Sequence, residues 1–430
     1  MKAYFLILAI GIGYLFPLSA LTQPIDYWHV LFPDINIEFP LTTTFMWVNL
    51  TVLGCIVFFT QHPSVTFRIV GGFIGQLIIL ICVPSLPSFC GGNENVLFWL
   101  VMGATAIAAC ATALIDSVAI GFASEYPPKV LEGLQLGIGL STLIGSVYRI
   151  GTKVVFSADQ VIESSIIYFY VGGFTIFSCI VAYYALLSLP LSQDIHSNKS
   201  QATAEENRRL LNELMDQPAY DSLKSDERNQ QPVDTERGKE ITSFSPPTSS
   251  SSSQSSAWLN KLRILKKVAF KQFLVFSVFF ISLFLWPGIV TEIPSYSFPY
   301  LEETRWWSLL LLLTFSVLDC VGRLLTPYRL GLNSSNIWIF VLARLLLVPL
   351  FFYLAYYGKD SSFFLFHSDF VSVGLVSLLG FTNGYIGSLC IIMVTEDVLP
   401  DEKHIAGAFT GFFLNVGLVF GSTAALLFHQ

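Results

Sequence analysis

The sequence predicts an all-α, polytopic membrane protein with eleven transmembrane helices in a six-plus-five arrangement. Three observations predict it. Of 430 residues, 53% are hydrophobic, only 12% are charged and 38 are Phe, with a mean hydropathy of +0.63; a soluble chain carries roughly a quarter charged residues. Eleven apolar runs reach the length of about 20 residues that a helix needs to cross hydrocarbon. A long polar stretch separates the sixth run from the seventh.

In chain order, span one is expected at 3–24, behind Lys2, and carries Gly11, Gly13 and Pro17. Its end at Leu18-Ser19-Ala20 also fits a secretory signal peptide, although a signal core is usually plain Leu and Ala. Spans two (42–60) and three (66–86) are parted at His62-Pro63, and span four (96–123) ends before Pro127-Pro128. Span five (128–150) stops before Lys153, and span six (165–190) runs up to the polar stretch. Spans seven (266–290), eight (305–328), nine (336–357), ten (366–393) and eleven (404–428) follow, bounded by charges or Pro.

The polar stretch, 194–262, holds 11 acidic and 7 basic residues in its first part and Ser/Pro-rich sequence from Ser243 to Ser256. Such a composition buries too little apolar area to fold, so a disordered loop is expected. It divides the chain into 1–193 and 263–430. Lys261, Arg263, Lys266 and Lys267 beside span seven make the loop cytoplasmic by the positive-inside rule. Alternation then puts the N-terminus inside and the C-terminus outside. The loops at 25–41 and 87–95 contain no Lys or Arg, as exterior loops should. Asn49, Asn198 and Asn333 head glycosylation sequons, but each falls in a span or on the cytoplasmic side.

The same arithmetic excludes several classes. A net charge of −7 gives no basic footprint, so no nucleic-acid partner is expected. Seven scattered Cys without a CxxC pair read as packing thiols, and no metal or other cofactor is expected. The absence of a G-x-x-x-x-G-K-[ST] sequence argues against an ATP-driven pump.

A charge at the bilayer centre costs about 2.5–3.5 kcal/mol or more, so those inside spans are functional candidates. Asp319 and Arg323 in span eight lie four residues apart, on one helical face. They read either as a neutralised pair docking span eight or as a polar site for an uncharged, hydroxyl-rich substrate. Asp116, deep in span four, has no basic neighbour within four positions. It must face a cavity, carry a proton or reach a distant Arg such as Arg323 or Arg344. Arg68 and Arg149 are expected to snorkel from span ends. Gly11-Ile-Gly13 with Pro17, Trp286-Pro287-Gly288 and Asn383-Gly384 are expected to interrupt helices. Gly71/Gly75, Gly133/Gly137, Gly407/Gly411 and Gly417/Gly421 have the spacing of close helix contacts.

These motifs together resemble the equilibrative nucleoside transporter family, solute carrier family 29. Asp319-Cys-Val-Gly-Arg323 is similar to its D-x-x-G-R signature, and Val341-Leu-Ala-Arg344-Leu with Pro349 to its next span. Phe381-Thr-Asn383-Gly384-Tyr385 and Ala406-Gly407-Ala408 resemble its last two helices, and Gly11-Ile-Gly13 to Pro17 its opening. The resemblance implies a major-facilitator-like fold, alternating access and a nucleoside or nucleobase, purine or pyrimidine, as substrate. Asp319 and Arg323 would contact that substrate, Arg68 would join helices, Pro287 would mark the seventh helix near the cavity, and Arg344 and Asn383 would be structural or gating residues. Two positions depart: Leu18-Ser19 stands where many members have Trp-Asn, and Asp116 where they have a substrate-contacting Gln. The departures put base preference in doubt, make Asp116 a candidate proton carrier and leave facilitated diffusion and proton symport open.

Glu206-Asn-Arg-Arg-Leu210-Leu211 fits an acidic dileucine signal for sorting adaptors, or one face of an amphipathic helix. It keeps a lysosomal or vacuolar membrane open beside the plasma membrane. The competing readings are a major-facilitator carrier for another polar solute such as a sugar and, remotely, an intramembrane aspartyl enzyme, whose G-x-G-D context is missing here.

Overall fold

In hydrocarbon every backbone N–H and C=O must find a partner within the protein, and a run of about 20 apolar residues meets that need by itself as a helix. The computed structural model describes residues 1–33, 37–59, 64–89, 93–157, 160–195, 197, 201, 208, 250–303, 306–357 and 368–428, and the regular structure among them is helical. Eleven stretches are long and apolar enough to cross a membrane. Spans one to six are Lys2–Leu31, Pro40–Phe59, Val65–Phe89, Glu94–Ser124, Pro128–Val155 and Val161–Leu187. Spans seven to eleven are Trp258–Thr291, Trp306–Leu324, Ile337–Tyr356, Asp369–Glu396 and Lys403–Leu426. Residues Met1–Leu186 and Lys261–Gln430 form one compact unit, and Leu187–Asn260 form another. The dileucine motif at Glu206, Leu210 and Leu211 lies outside the described residues.

Three expectations about backbone breaks resolve differently. The first helix, Lys2–Thr22, runs unbroken through Gly11, Gly13 and Pro17, and Asp369–Glu396 is continuous through Asn383-Gly384. Only Trp286-Pro287 interrupts as expected: one helix ends at Leu285 and a short one resumes at Gly288. The glycines serve close approach instead. A Cβ on Gly11 would sit 2.5 Å from the Leu134 carbonyl oxygen of span five, and one on Gly384 only 2.0 Å from the Asp319 carbonyl oxygen of span eight. Small residues at such crossings let backbones touch.

Two other breaks lie away from these breakers, the second just before Pro349, which withdraws the hydrogen bond from the Leu345 carbonyl. Span four is two helices, Glu94–Asp116 and Ala119–Ser124, parted at Ser117-Val118 directly after Asp116. In span nine, Ile337–Ala343 passes through a 3-10 turn at Arg344–Leu346 before Leu347–Phe352. The helix carrying span seven starts at Ser250, so thirteen residues, 250–262, of the segment expected to be disordered lie in it. Arg68 and Arg149 do not snorkel: at 8% and 5% exposure they are buried. Arg68 donates to Ser117 Oγ at 3.1 Å, and Arg149 pairs with Asp26, so polar partners inside the protein hold both.

Spans one and five pack along their lengths, as do eight and ten, while five lies on eight, and eleven on two and four. An apolar core of Phe284, Leu311, Phe315, Phe351 and Val376 fills the space between spans seven, eight, nine and ten. A smaller one, with Leu53, Ala113 and Phe409, joins spans two, four and eleven.

Candidate functional site

Close packing of span eight on span ten sets the position of the central charges. Gly380 meets the Phe315 carbonyl, Gly384 the Asp319 carbonyl and Gly322 the Phe381 carbonyl, each nearer than any side chain would allow. The next side chain, Asn383, is thereby delivered to Asp319: its Nδ2 donates to Asp319 Oδ1 at 2.6 Å. The other carboxylate oxygen accepts from Arg323 Nε at 2.7 Å. The pair is 4% and 6% exposed. A buried ion pair is tolerable only when its remaining donors and acceptors are also satisfied.

That requirement explains the chain of bonds running away from the pair on both sides. On one side Asn383 Oδ1 accepts from Ser282 Oγ of span seven at 2.6 Å, and Ser282 Oγ accepts from Arg344 Nη2 of span nine at 2.7 Å. Arg344 Nη1 donates to the Val278 carbonyl at 3.0 Å. On the other side Arg323 Nη1 reaches span five, donating to the Gln135 carbonyl at 3.1 Å and to Gln135 Oε1 at 3.3 Å. One network therefore links spans nine, seven, ten, eight and five, crossing from the second half of the chain into the first.

Asp116 belongs to a second centre. It ends its helix, is 2% exposed, and its Oδ2 accepts from Asn49 Nδ2 of span two at 2.8 Å and Asn415 Nδ2 of span eleven at 3.0 Å. Asn49 Nδ2 is also 2.8 Å from Asn415 Oδ1. The reach to Arg323 or Arg344 considered from the sequence is not made: among the described residues Asp116 forms no ion pair, and amide donors hold it instead. The Tyr14 hydroxyl of span one is a further hydrogen-bonding neighbour of Asp116. Gln135 Nε2 and Asn49 Oδ1 are buried with no protein hydrogen-bond partner.

The other candidates are dispersed. Leu18 accepts from Thr22 Oγ1 through its carbonyl, and the Ser19 carbonyl accepts from Tyr168 Oη of span six at 3.4 Å; neither is bonded to the Asp319–Arg323 pair. Arg68 braces span three against the turn that follows Asp116. Pro287 is exposed at the break of span seven, beside Trp286, whose ring stacks on Phe315 with centroids 5.0 Å apart. Phe315 stands one helical turn from Asp319. Gln135, Tyr14, Asn49, Asn415 and Ser282 escaped a search confined to charges. Their signal was available as uncharged polar side chains in the middle of apolar spans.

The family profile described as "Nucleoside transporter" matches residues 101–430. The chain belongs to the nucleoside transporter family. It is 28% identical to "Equilibrative nucleotide transporter 1" of Arabidopsis thaliana over 98% of this chain and 85% of that one. Against "Equilibrative nucleoside transporter 1" of Homo sapiens it is 24% identical, over 86% of this chain and 77% of the other. Among solved structures it is similar to a major facilitator superfamily proton:xylose symporter, with a TM-score of 0.58, 12% identity and coverage of 98% and 87% of the two chains. A partially occluded inward-open xylose transporter from E. coli gives a TM-score of 0.54 at 11% identity, over 99% and 91% of the chains. At these identities the structures establish the major-facilitator fold alone. Family and fold together make this member of the family a multi-pass membrane carrier and set aside the intramembrane enzyme.

Proposed function

We propose that the protein moves nucleosides across its membrane by alternating access, with Asp319 and Arg323 meeting the ribose hydroxyls. The observation that carries this reading is the Arg323–Gln135 contact, which closes one polar network across residues 1–193 and 263–430. A site built from both halves exchanges its partners when the halves rock, the defining step of such carriers. A carboxylate and a guanidinium with fixed donors and acceptors suit a neutral polyhydroxylated ligand. Sugars share that chemistry; the family match and the relatives' names favour nucleosides over a sugar.

Successive spans alternate in direction, so the ends near residues 59–65, 124–128, 324–337 and 396–403 share a face. That face carries Lys129, Arg329 and Lys403, and with the basic residues before span seven it is assigned to the cytoplasm, leaving the N-terminus inside. It is also where the halves touch: a Cβ on Gly407 would lie 2.5 Å from Gly121 N, and Lys403 Nζ donates to the Ser124 carbonyl at 3.4 Å. With the halves in contact at that face, substrate is proposed to enter from the opposite side.

Coupling to protons is a second reading, favoured by Asp116, a carboxylate buried among amides without a cationic partner among the described residues. The plasma membrane is the proposed location, with the dileucine motif addressing a lysosomal or vacuolar membrane through adaptors as the alternative. Purified protein in liposomes, given radiolabelled adenosine, uridine and hypoxanthine, tests the proposal. Saturable nucleoside flux is expected, and flux of xylose but of no nucleoside would overturn it. Flux that rises with an inward proton gradient and loses that response in Asp116→Asn supports coupling; a gradient-insensitive flux rejects it.

A further inference from the structure

Gln135 is 1% exposed, and its two ends are treated unequally. Its carbonyl oxygens, main-chain and Oε1, both accept from Arg323 Nη1. Because a guanidinium only donates, this fixes the amide with Oε1 toward Arg323 and Nε2 away from it. Nε2 is buried and has no protein acceptor. A buried donor left without a partner is costly, more so than an ordinary hydrogen bond is favourable, so a folded protein keeps one where something else supplies the acceptor. Gly139, one turn along span five, shapes the same spot: a Cβ there would lie 2.6 Å from Arg323 Cδ and 3.1 Å from Asp319 Oδ2. Span five is thus cut away to admit the charged pair and to set the Gln135 amide against it.

We propose that Gln135 is a substrate-binding residue, whose Nε2 donates to one ribose hydroxyl of the nucleoside held by Asp319 and Arg323. The inference rests on the nucleoside reading above and extends its site from span eight to span five. The two sides of the site then belong to different halves of the chain. Ligand that bonds to both Gln135 Nε2 and Asp319–Arg323 reports on their separation, while the Gln135 oxygens keep Arg323 oriented when ligand is absent.

The test uses the full chain in liposomes, with uridine and its 2′-, 3′- and 5′-deoxy analogues. In the wild type, removal of the hydroxyl that meets Nε2 raises KM by roughly two- to twelvefold, the size of one neutral hydrogen bond. Gln135→Leu removes the side-chain donor without adding a charge, and the main-chain carbonyl at that position remains as an acceptor for Arg323. In that variant the penalty for the same analogue is expected to vanish, while discrimination at the other two positions stays as in wild type. A structural role for Gln135 would lower flux of all four compounds alike and leave their ratios intact; unchanged ratios in Gln135→Leu overturn the proposal. Gln135→Met, similar in length and without donor or amide acceptor, is measured by equilibrium binding of the same four compounds in detergent, which needs no turnover. Equal affinity for uridine and the critical analogue supports the inference, and retained discrimination overturns it. Wild-type protein that neither binds nor moves any nucleoside would instead sink the nucleoside reading itself.

Discussion

Asp319 shows how much backbone geometry stands behind one charged side chain. Its carboxylate is held by Asn383 and Arg323, but Asn383 arrives only because Gly384 lets span ten touch the Asp319 carbonyl. Gly384→Ala would place a methyl 2.0 Å from that oxygen, where neither backbone can yield cheaply. It is expected to destabilise the protein by about 1–3 kcal/mol or more, as overpacking does, and to lower the unfolding midpoint in detergent. Gly71→Ala is the matched control, since nothing lies within 4 Å of its added carbon; a midpoint unchanged or raised is expected there, because Ala is the better helix former. Residue chemistry was legible in the sequence where it was charged. Asp319, Arg323, Arg344 and Asp116 stood out because a charge in hydrocarbon demands a reason. Their partners carry a weaker signal, because Gln135, Asn49 and Asn415 are amides, which cost a span less than a charge does. Nothing in the sequence near Asp116 placed Asn415 beside it, 299 residues away.

At the scale of elements, hydropathy revealed the spans because it measures the one thing lipid selects for. It could not reveal where a span bends. Span four breaks at Ser117-Val118, which reads as ordinary apolar sequence, whereas Gly11, Gly13, Pro17 and Gly384, which read as breakers, lie in continuous helices. The loop between spans ten and eleven is tied down by charge. Glu402 accepts from Lys267 Nζ at 2.9 Å and from the Leu399 N–H at 3.2 Å, with Arg263 at 3.5 Å. The Lys267 hydrogen bond, chiefly, holds its carboxyl below the ordinary value of 4.5. A group whose folded pKa is depressed contributes stability that is present above its unfolded pKa and lost as pH falls through the folded one. The stability difference between wild type and Glu402→Gln is therefore expected to be constant from pH 7 to about pH 5 and to shrink below about pH 4.5. Thermal unfolding in detergent across that range checks it; a difference that grows on acidification would contradict the assignment.

In the whole molecule the two halves meet at the face of Gly121 and Gly407 and again at two buried polar centres, Arg323–Gln135 and Asn49–Asp116–Asn415. The contact between spans four and eleven is backbone on backbone: a Cβ on Gly407 would be 2.5 Å from Gly121 N and 2.6 Å from its Cα. Gly407→Leu should wedge this face open, so that flux falls about tenfold or more while the protein still reaches the membrane, and, with the native cysteines replaced, a membrane-impermeant thiol reagent applied from this face gains access to a cysteine introduced at Ser141, a fully buried residue of span five. Normal flux in that variant would mean that closure here is not part of the cycle. The eleven spans and the break between six and seven were legible from composition, but which spans touch was not, because apolar surfaces facing lipid and apolar surfaces facing protein look alike in sequence.

The central claim is that the buried Asp319–Arg323 pair handles the substrate. Its most direct test is uptake of radiolabelled uridine into liposomes containing wild-type protein, Asp319→Asn or Arg323→Ala, with folding of each variant checked by its elution as a single species. Removal of either charge is predicted to abolish uptake in protein that remains folded. Uptake at the wild-type rate in either folded variant would contradict the account.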